Sequence, residues 1–414
     1  MRNNRIWIIN HYATDAFFDK GGRHYYLSKY LKEAGYEVTV FCANTFHDSR
    51  KSLELDGKNY IIKKADMGVE FVFLKTSEYT GNGKARVMNM INFYRSMMKC
   101  SKNFERPDII VGSSVHPLAC IAAIKLSKRF NCKNIIEIRD LWPLSIVEYS
   151  ERWTDSNFLI RMLYEGEKRI YQKADGLIFT MPGGAQYIKD KGWDNKINLE
   201  KIFNINNGVD ADEFNRNIEE HQIKDDDLED SRIKIVYTGS IRKVNNVIEF
   251  AELGKYLNLE KYLLLIYGKG DYVEELKSYI ERNNLRHVKY KGYVNKNEIP
   301  YILSKADMNY FQCKNSNVIF NYGMSPNKFF EYITSGKAIC MDGSSRFDFV
   351  KEYDLGISGQ FNDKAELAQH IKKFFEDNNR VDEVKENNFK IAKEFDWKVL
   401  SKKFEEVINY VEEH

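Results

Sequence analysis

No apolar stretch in this chain approaches the roughly 20 residues that a membrane-spanning helix requires. Its six cysteines, Cys42, Cys100, Cys120, Cys132, Cys313 and Cys340, have neither the paired spacing of a zinc site nor the density of a disulfide-stapled secreted domain. A reducing cytoplasm is the simplest home for them. A large excess of one charge is also missing: 63 basic against 60 acidic residues leave +3, too little for a dedicated nucleic-acid binder. No internal repeat or low-complexity tract interrupts the chain, and Arg5-Ile6-Trp7-Ile8-Ile9-Asn10 gives way to polar residues too soon for a signal peptide. Any meeting with a membrane is therefore expected at its inner surface.

What is present is an ordinary globular composition, 43% hydrophobic and 30% charged over 414 residues, enough for two domains with a core each. Short apolar runs alternate with segments of helical period, the pattern of parallel sheets built from strand-helix-strand units. In the first half the expected strands are Arg5 to Asn10, Glu37 to Ala43, Val69 to Lys75, Asp108 to Ser113, Asn134 to Ile138, Gly176 to Thr180 and Lys201 to Ile205. Helices are expected between them, among others at Gly22 to Ala34 and Pro117 to Phe130. Asn215 to Ser231, with its Asp225-Asp226-Asp227 run, reads as a linker or exposed loop. A second series follows at Ile233 to Tyr237, Tyr262 to Tyr267, Val288 to Tyr293, Met308 to Gln312 and Ala338 to Met341. The fold class is α/β, two doubly wound parallel sheets, in which ligands bind at the carboxyl ends of the strands.

The most informative segment is Tyr322 to Gly336. Ser325 can cap a helix whose first position is Pro326, leaving free N–H groups to face an anion. Asn327 belongs to the same turn, Lys328 adds a positive charge, and Glu331 lies within reach of a ribose diol. Phosphate and ribose together imply a nucleotide. Gly21-Gly22, between a strand and a helix, would let backbone N–H groups approach a diphosphate; the plainer reading is a turn. His116 follows a strand end and precedes Pro117, which points it into the binding edge. Arg242 and Lys243 follow the strand-to-loop passage Tyr237-Thr238-Gly239-Ser240, where two cations can neutralise a departing diphosphate; solvated surface charge is the alternative. Asp140, in Arg139-Asp140-Leu141-Trp142-Pro143, can orient or deprotonate an acceptor hydroxyl, with Trp142 assigned to the core. A helix from Lys84 to Lys102 carries an apolar stripe among basic residues, suited to an anionic membrane surface or to packing on its own sheet.

In order and spacing these segments resemble the retaining GT-B glycosyltransferases of family four (group 1). The resemblance also rests on Ala34-Gly35-Tyr36-Glu37-Val38-Thr39-Val40, on Asn207-Gly208-Val209-Asp210 with Phe214, on Gly268-Lys269-Gly270-Asp271 and on Lys291-Gly292-Tyr293-Val294. It implies two Rossmann-like domains facing across a central cleft: an acceptor domain over 1–209, a donor domain over 210–395, and a helix over 396–414 packing back toward the first. It implies a UDP-sugar as donor substrate and no cofactor; the Asp-x-Asp spacings, Asp210 with Asp212 and Asp225 with Asp227, lie in the junction and linker away from any strand end that could present a metal, so no metal is expected. His116 would touch the donor sugar, while Gly21, Gly22 and Gly239 would lie near the donor phosphates and Gly268 and Val294 beside the nucleobase. The family's usual arginine and lysine after the glycine are replaced here by Ser240 and Asn245, and its earlier glutamate, eight positions before Glu331, by Gly323. Backbone N–H groups at Gly323 and Met324 would then stand in for that carboxylate. Arg139 to Pro143 and Ser325 to Lys328 resemble enzymes of O-antigen and capsule assembly, which implies an N-acetylated or deoxygenated sugar and a lipid-linked or oligosaccharide acceptor. A nucleotide-sugar epimerase or hydrolase, or an inactive nucleotide-sugar-binding subunit, are the alternatives.

Overall fold

The computed structural model of the chain describes residues 4–414 except 82, 115, 149, 151 and 314–317. It divides into two compact units, Met1–Asn206 with Trp397–His414, and Asn207–Asp396.

The first unit is built on eight strands: β1 (Arg5–Ile9), β2 (Glu37–Ala43), β3 (Tyr60–Lys64), β4 (Glu70–Leu74), β5 (Ile109–Ser114), β6 (Lys133–Ile138), β7 (Gly176–Phe179) and β8 (Ile202–Asn204). Their order in the sheet is β3-β4-β2-β1-β5-β6-β7-β8, parallel throughout except for β3 against β4. Chain direction across the sheet reverses between β1 and β5, the kind of crevice where such folds bind ligands. Strands buried on both faces need continuous apolar runs, and β1 and β5 supply them. The C-terminal helix Trp397–Glu413 belongs to this core. Trp397, Leu400, Phe404, Val407, Ile408 and Val411 recur at helical spacing and are all buried, each side chain contributing about 1.5–3 kcal/mol. Gly176 lets that helix close in, since a Cβ there would stand 2.8 Å from Val411 Cγ1.

The second unit carries β9 (Ile233–Thr238), β10 (Tyr262–Tyr267), β11 (Val288–Gly292), β12 (Met308–Gln312), β13 (Ala338–Asp342) and β14 (Gly356–Gly359), all parallel, in the order β11-β10-β9-β12-β13-β14. Here the reversal falls between β9 and β12.

The expected strands are present within a residue or two at their ends; β3 and β14 were not expected. The presumed linker is corrected. Residues 215–220 end a helix, Ala211–Glu220, whose N-cap Asp210 accepts Glu213 N–H at 3.0 Å and whose Phe214 is buried. A capped start and an inward-facing phenylalanine outweigh the polar surface of that segment. The helix expected over Lys84 to Lys102 spans Lys84–Cys100 and buries Met90, Phe93, Met97 and Cys100 within its own unit, while Val87 and Met88 stay 54% and 50% exposed. Among the described residues no helix is long and apolar enough to cross a membrane.

Candidate active site

In the second unit the chain leaves β9 through Gly239 and β10 through Gly268, at φ 143° and 151°. The two loops run backbone against backbone: Ile241 N–H donates to Lys269 O at 2.9 Å, and Tyr272 N–H to Ile241 O at 3.1 Å. A Cβ on Gly268 would stand 1.8 Å from Gly239 O. Gly268→Ala is therefore expected to destabilise the protein by about 2 kcal/mol, through strain at positive φ and displacement of the loop. Urea unfolding would reveal it, and an unchanged midpoint would refute the close approach.

The helix after β12 spans Asn327–Thr334 and starts one residue later than expected. Pro326 holds the N-cap position at φ −75° and ψ 139°, and no side chain caps the helix. Ser325 is thus not the cap. Its hydroxyl accepts Asn207 N–H at 2.7 Å and its carbonyl accepts Asn207 Nδ2 at 2.6 Å, so Asn207, at the head of the Asn207-Gly208-Val209-Asp210 segment, braces the turn before this helix. Helix and strand are joined by Tyr332, whose hydroxyl accepts Thr238 N–H at 3.0 Å at the end of β9.

Lys328 sits in the first turn of this helix. Its Nζ lies 4.5 Å from the Tyr237 ring centroid, 5.1 Å from that of Phe311 and 3.4 Å from Tyr237 Oη, beside Gly239. Burial pushes its amine down to about 8, with Glu331 pulling upward. Glu331, nearly a turn later, has its carboxyl raised by burial against the pull of Lys296 and Lys328. Arg242 and Lys243 lie exposed on the turn after Ile241, so the cation placed next to Gly239 is Lys328. Where the family's basic pair would stand, Asn245 Nδ2 donates to Ser240 Oγ at 2.6 Å and to Ser240 O at 2.8 Å. Gly323, at φ 84°, donates its N–H to Phe320 O at 3.0 Å, closing a short 3-10 turn, where an N–H free to replace the absent carboxylate was expected. Val294 packs its side chain on the cluster around Leu228 and Tyr267, while Tyr293 is 59% exposed with Lys269 Nζ 4.1 Å over its ring.

In the first unit the carboxyl ends of β1, β5 and β6 gather a buried polar cluster. Arg23 Nε donates to Glu137 Oε2 at 2.6 Å, Ser113 Oγ to Glu137 Oε1 at 2.6 Å, and Asn10 Nδ2 to Ser113 Oγ at 3.0 Å; His24 Nε2 lies 3.1 Å from Glu137 Oε1. Burial alone would raise the Glu137 carboxyl, but Arg23, with His24 and Arg139, overrides it and holds the group well below the usual range. Gly22, at φ 86°, starts the helix Arg23–Glu33 and so aims Arg23 and His24 at the cluster. Gly21 N–H, expected to approach a diphosphate, instead donates to Ala16 O at 3.1 Å.

His116 is fully buried, 2.7 Å from His11 through its Nε2, and burial, then Arg86, pushes its ring down to about 3. Asp140 is exposed at a largely apolar cavity of about 260 Å³ that Trp142, Met162 and Tyr171 also line. Surrounding protein raises its carboxyl despite Arg139 and Arg86. Glu167, held by Tyr171 and Tyr187 hydroxyls at 2.5 and 2.8 Å, closes the cavity with a carboxyl that burial lifts to about 7.

Residues 23–213 match the family model described as Glycosyltransferase Family 4, and residues 218–391 that of Glycosyl transferases group 1. The chain is a glycosyltransferase of the family 4, group 1 type. Solved structures place it in the GT-B fold. Sucrose-phosphate synthase from Thermosynechococcus elongatus matches with TM-score 0.72 at 14% identity over 99% of both chains. The trehalose-phosphate synthase of Burkholderia vietnamiensis matches with 0.70 at 10% over 99% of this chain and 100% of the other. Anabaena HepE, solved with UDP-glucose, matches with 0.65 at 14% over 98% and 99%. No match is found among curated protein sequences.

In this glycosyltransferase Gly239, Lys328 and Glu331 come together at the β9–β12 reversal, and Gly268 serves first to let two loops touch. Sequence reasoning missed His11, Glu137 and the Tyr237 ring. A charged residue inside the apolar run Ile135-Ile136-Glu137-Ile138 was the available signal for the second; nothing local marked the others.

Proposed function

We propose that the protein is a retaining glycosyltransferase that moves a sugar from a UDP-linked donor to an acceptor hydroxyl in bacterial surface polysaccharide assembly. The observation that carries this reading is the uncapped helix start bearing Lys328 and Glu331 at the reversal between β9 and β12. Anabaena HepE, solved with UDP and with UDP-glucose, supports uracil as the base. Diphosphate oxygens face the helix N–H groups and Lys328, and the ribose diol bonds Glu331. The sugar C1–O bond breaks with its electron pair going to the phosphate oxygen. The acceptor oxygen bonds C1 on the same face, and its proton passes to the departing diphosphate, so no covalent nucleophile is needed. Asp140 orients the acceptor at the apolar cavity, in keeping with a lipid-linked acceptor. An N-acetylated or deoxygenated sugar and an O-antigen or capsule product follow from the resemblance of Arg139 to Pro143 and Ser325 to Lys328.

Transfer is taken to be metal-independent because the Asp-x-Asp pairs have other duties. Asp210 caps a helix, and Asp225 and Asp227 pair with Lys291 at 2.7 Å. Gly323, with its N–H engaged, keeps an inactive binding subunit as the second reading.

Thermal unfolding with a panel of nucleotide sugars tests the proposal. A ligand at 100 times its dissociation constant adds about 2.7 kcal/mol. One UDP-sugar is expected to stabilise more than UDP does, and Glu331→Ala to remove the shift. Product assays with and without acceptor separate transfer from epimerisation or hydrolysis. If no nucleotide or donor shifts the transition, the transferase reading fails.

A further inference from the structure

The helices Lys84–Cys100 and Pro117–Phe130 contain no aspartate or glutamate, in a chain whose 60 acidic residues nearly match its 63 basic ones. Arg86 apart, which lies over the Tyr12 ring, their cations are turned away from the sheet. Lys84, Arg95 and Lys99 of the first helix and Lys125, Lys128 and Arg129 of the second are all exposed. The two helices run side by side and parallel: Lys125 Nζ donates to Tyr94 Oη at 2.9 Å and Arg129 Nη1 to Met98 O at 3.0 Å, both across 31 positions. Both acceptors are uncharged, so neither bond cancels a positive charge.

The first turns of the same helices are apolar on the outside. Val87 and Met88 stand half exposed, and the offset of 31 sets Val87 beside Leu118, with Ile121 nearly a turn further on. Leu118 and Ile121 line the cavity beside Trp142. Its opposite wall belongs to the helix Phe158–Lys173, where Phe158, Leu159 and Met162 project into solvent. Five of the thirteen large apolar side chains exposed among the described residues therefore fall on two helix starts that flank Leu118 and Ile121. Packing on the sheet uses other residues of the first helix, Met90, Phe93 and Met97, so this outer surface is not needed for the core.

We propose that this face of the first unit docks on an anionic lipid bilayer, with the apolar helix starts dipping among the acyl chains and the six cations meeting headgroup phosphates. Apolar side chains gain by leaving water, and Lys and Arg within a Debye length of anionic headgroups are drawn to them. A nucleic acid or an acidic protein would satisfy the cations but leave the five apolar side chains wet. The helix Phe158–Lys173 contributes apolar area more than charge, because its Glu165 pairs with Lys168 and Arg169. Docking of this kind needs only the first unit and does not depend on the transferase reading.

Cosedimentation of the full chain with vesicles, without nucleotide or acceptor, is the test. In about 0.1 M salt, phosphatidylcholine vesicles containing about 30% phosphatidylglycerol are expected to bind about tenfold more tightly than phosphatidylcholine alone, and about 0.5 M salt to release the protein. Combining Arg95→Gln, Lys99→Gln and Lys128→Gln is expected to weaken binding about a hundredfold, since each cation near such a surface contributes roughly fivefold. Should that variant fail to fold, Met88→Glu, on the exposed side of one helix, is expected to remove most of the binding. Met88→Trp reports on insertion: its emission should shift to the blue on anionic vesicles and be quenched by lipids brominated in their chains. Equal binding to neutral vesicles, no binding to either kind, or parent-like binding by the charge variant overturns the docking surface. Binding without a change in the Met88→Trp emission overturns the insertion. Retention of heparin by a protein that ignores vesicles makes the face a polyanion site and overturns the bilayer as its partner.

Discussion

Lys328→Ala is expected to weaken UDP binding by about 3 kcal/mol, roughly a hundredfold, with a similar loss in kcat/KM. Where related enzymes carry an arginine and a lysine, this chain carries Ser240 and Asn245 hydrogen-bonded to each other. Lys328 stands beside Gly239, and its ammonium is partly desolvated by two aromatic rings. A desolvated charge attracts a diphosphate more strongly than a hydrated one, so its removal costs more than that of a surface lysine. Lys328→Arg should recover only part of the loss, because the broader planar guanidinium must be seated where the compact ammonium now lies 4.5 Å from the Tyr237 ring centroid and 5.1 Å from that of Phe311.

The same residue predicts a pH dependence. Its amine, at about 8 instead of 10.5, is charged at pH 7 and neutral well above 8. UDP affinity should fall as pH rises through that value, approaching tenfold per unit, and binding should draw in a proton because the anion favours the charged amine. Stability of the free protein moves the other way. Between about 8 and 10.5 the unfolded chain binds more protons at this residue than the folded one, so unfolding becomes harder as pH rises across that window. Calorimetric titration of UDP at pH 7, 8 and 9 in buffers of different ionisation enthalpy reads both effects. If Lys328→Ala binds UDP as the parent does, the anion reading of the helix is wrong.

Local sequence carried the elements that are buried on both sides, because only these need unbroken apolar runs. The two missed strands are sheet edges. β3 alternates little and ends in Lys63-Lys64, and β14 is four residues with a glycine at each end. Edge strands face solvent along one side, which removes the pattern by which strands are recognised. Within the candidate site, Lys328 and Glu331 could be placed together from sequence because they lie three positions apart on one short helix. Their surroundings could not be: Asn207 reaches Ser325 across 118 positions and Lys328 reaches Tyr237 across 91. His11 was hidden for the same reason, since its partner lies 105 residues away. Motif spacing reports on neighbours along the chain, and these contacts exist only after the sheet has ordered its strands.

Glu137→Leu is expected to destabilise the protein by about 3–5 kcal/mol, a large share of the total stability of an ordinary domain. The carboxylate is fully buried and bonded by Arg23 and Ser113, with His24 beside it. Removing it leaves the buried Arg23 guanidinium without its counter-charge at the start of the helix Arg23–Glu33. Replacing both members, as in Arg23→Met with Glu137→Leu, should recover most of the stability, because a buried ion pair seldom outperforms a packed apolar pair. The pair is therefore expected to show strong coupling in a double-mutant cycle. Acid has the same effect as the single change. The Glu137 carboxyl lies well below its usual value in the folded protein, so its contribution is full above the unfolded carboxyl value of about 4.3 and is lost as pH falls through the folded one. Activity of the double variant then separates two roles for the charges. If it folds and transfers sugar, the ion pair only organises the strand ends next to His11 and His116; if it folds and does not, Arg23 or Glu137 meets the substrate directly.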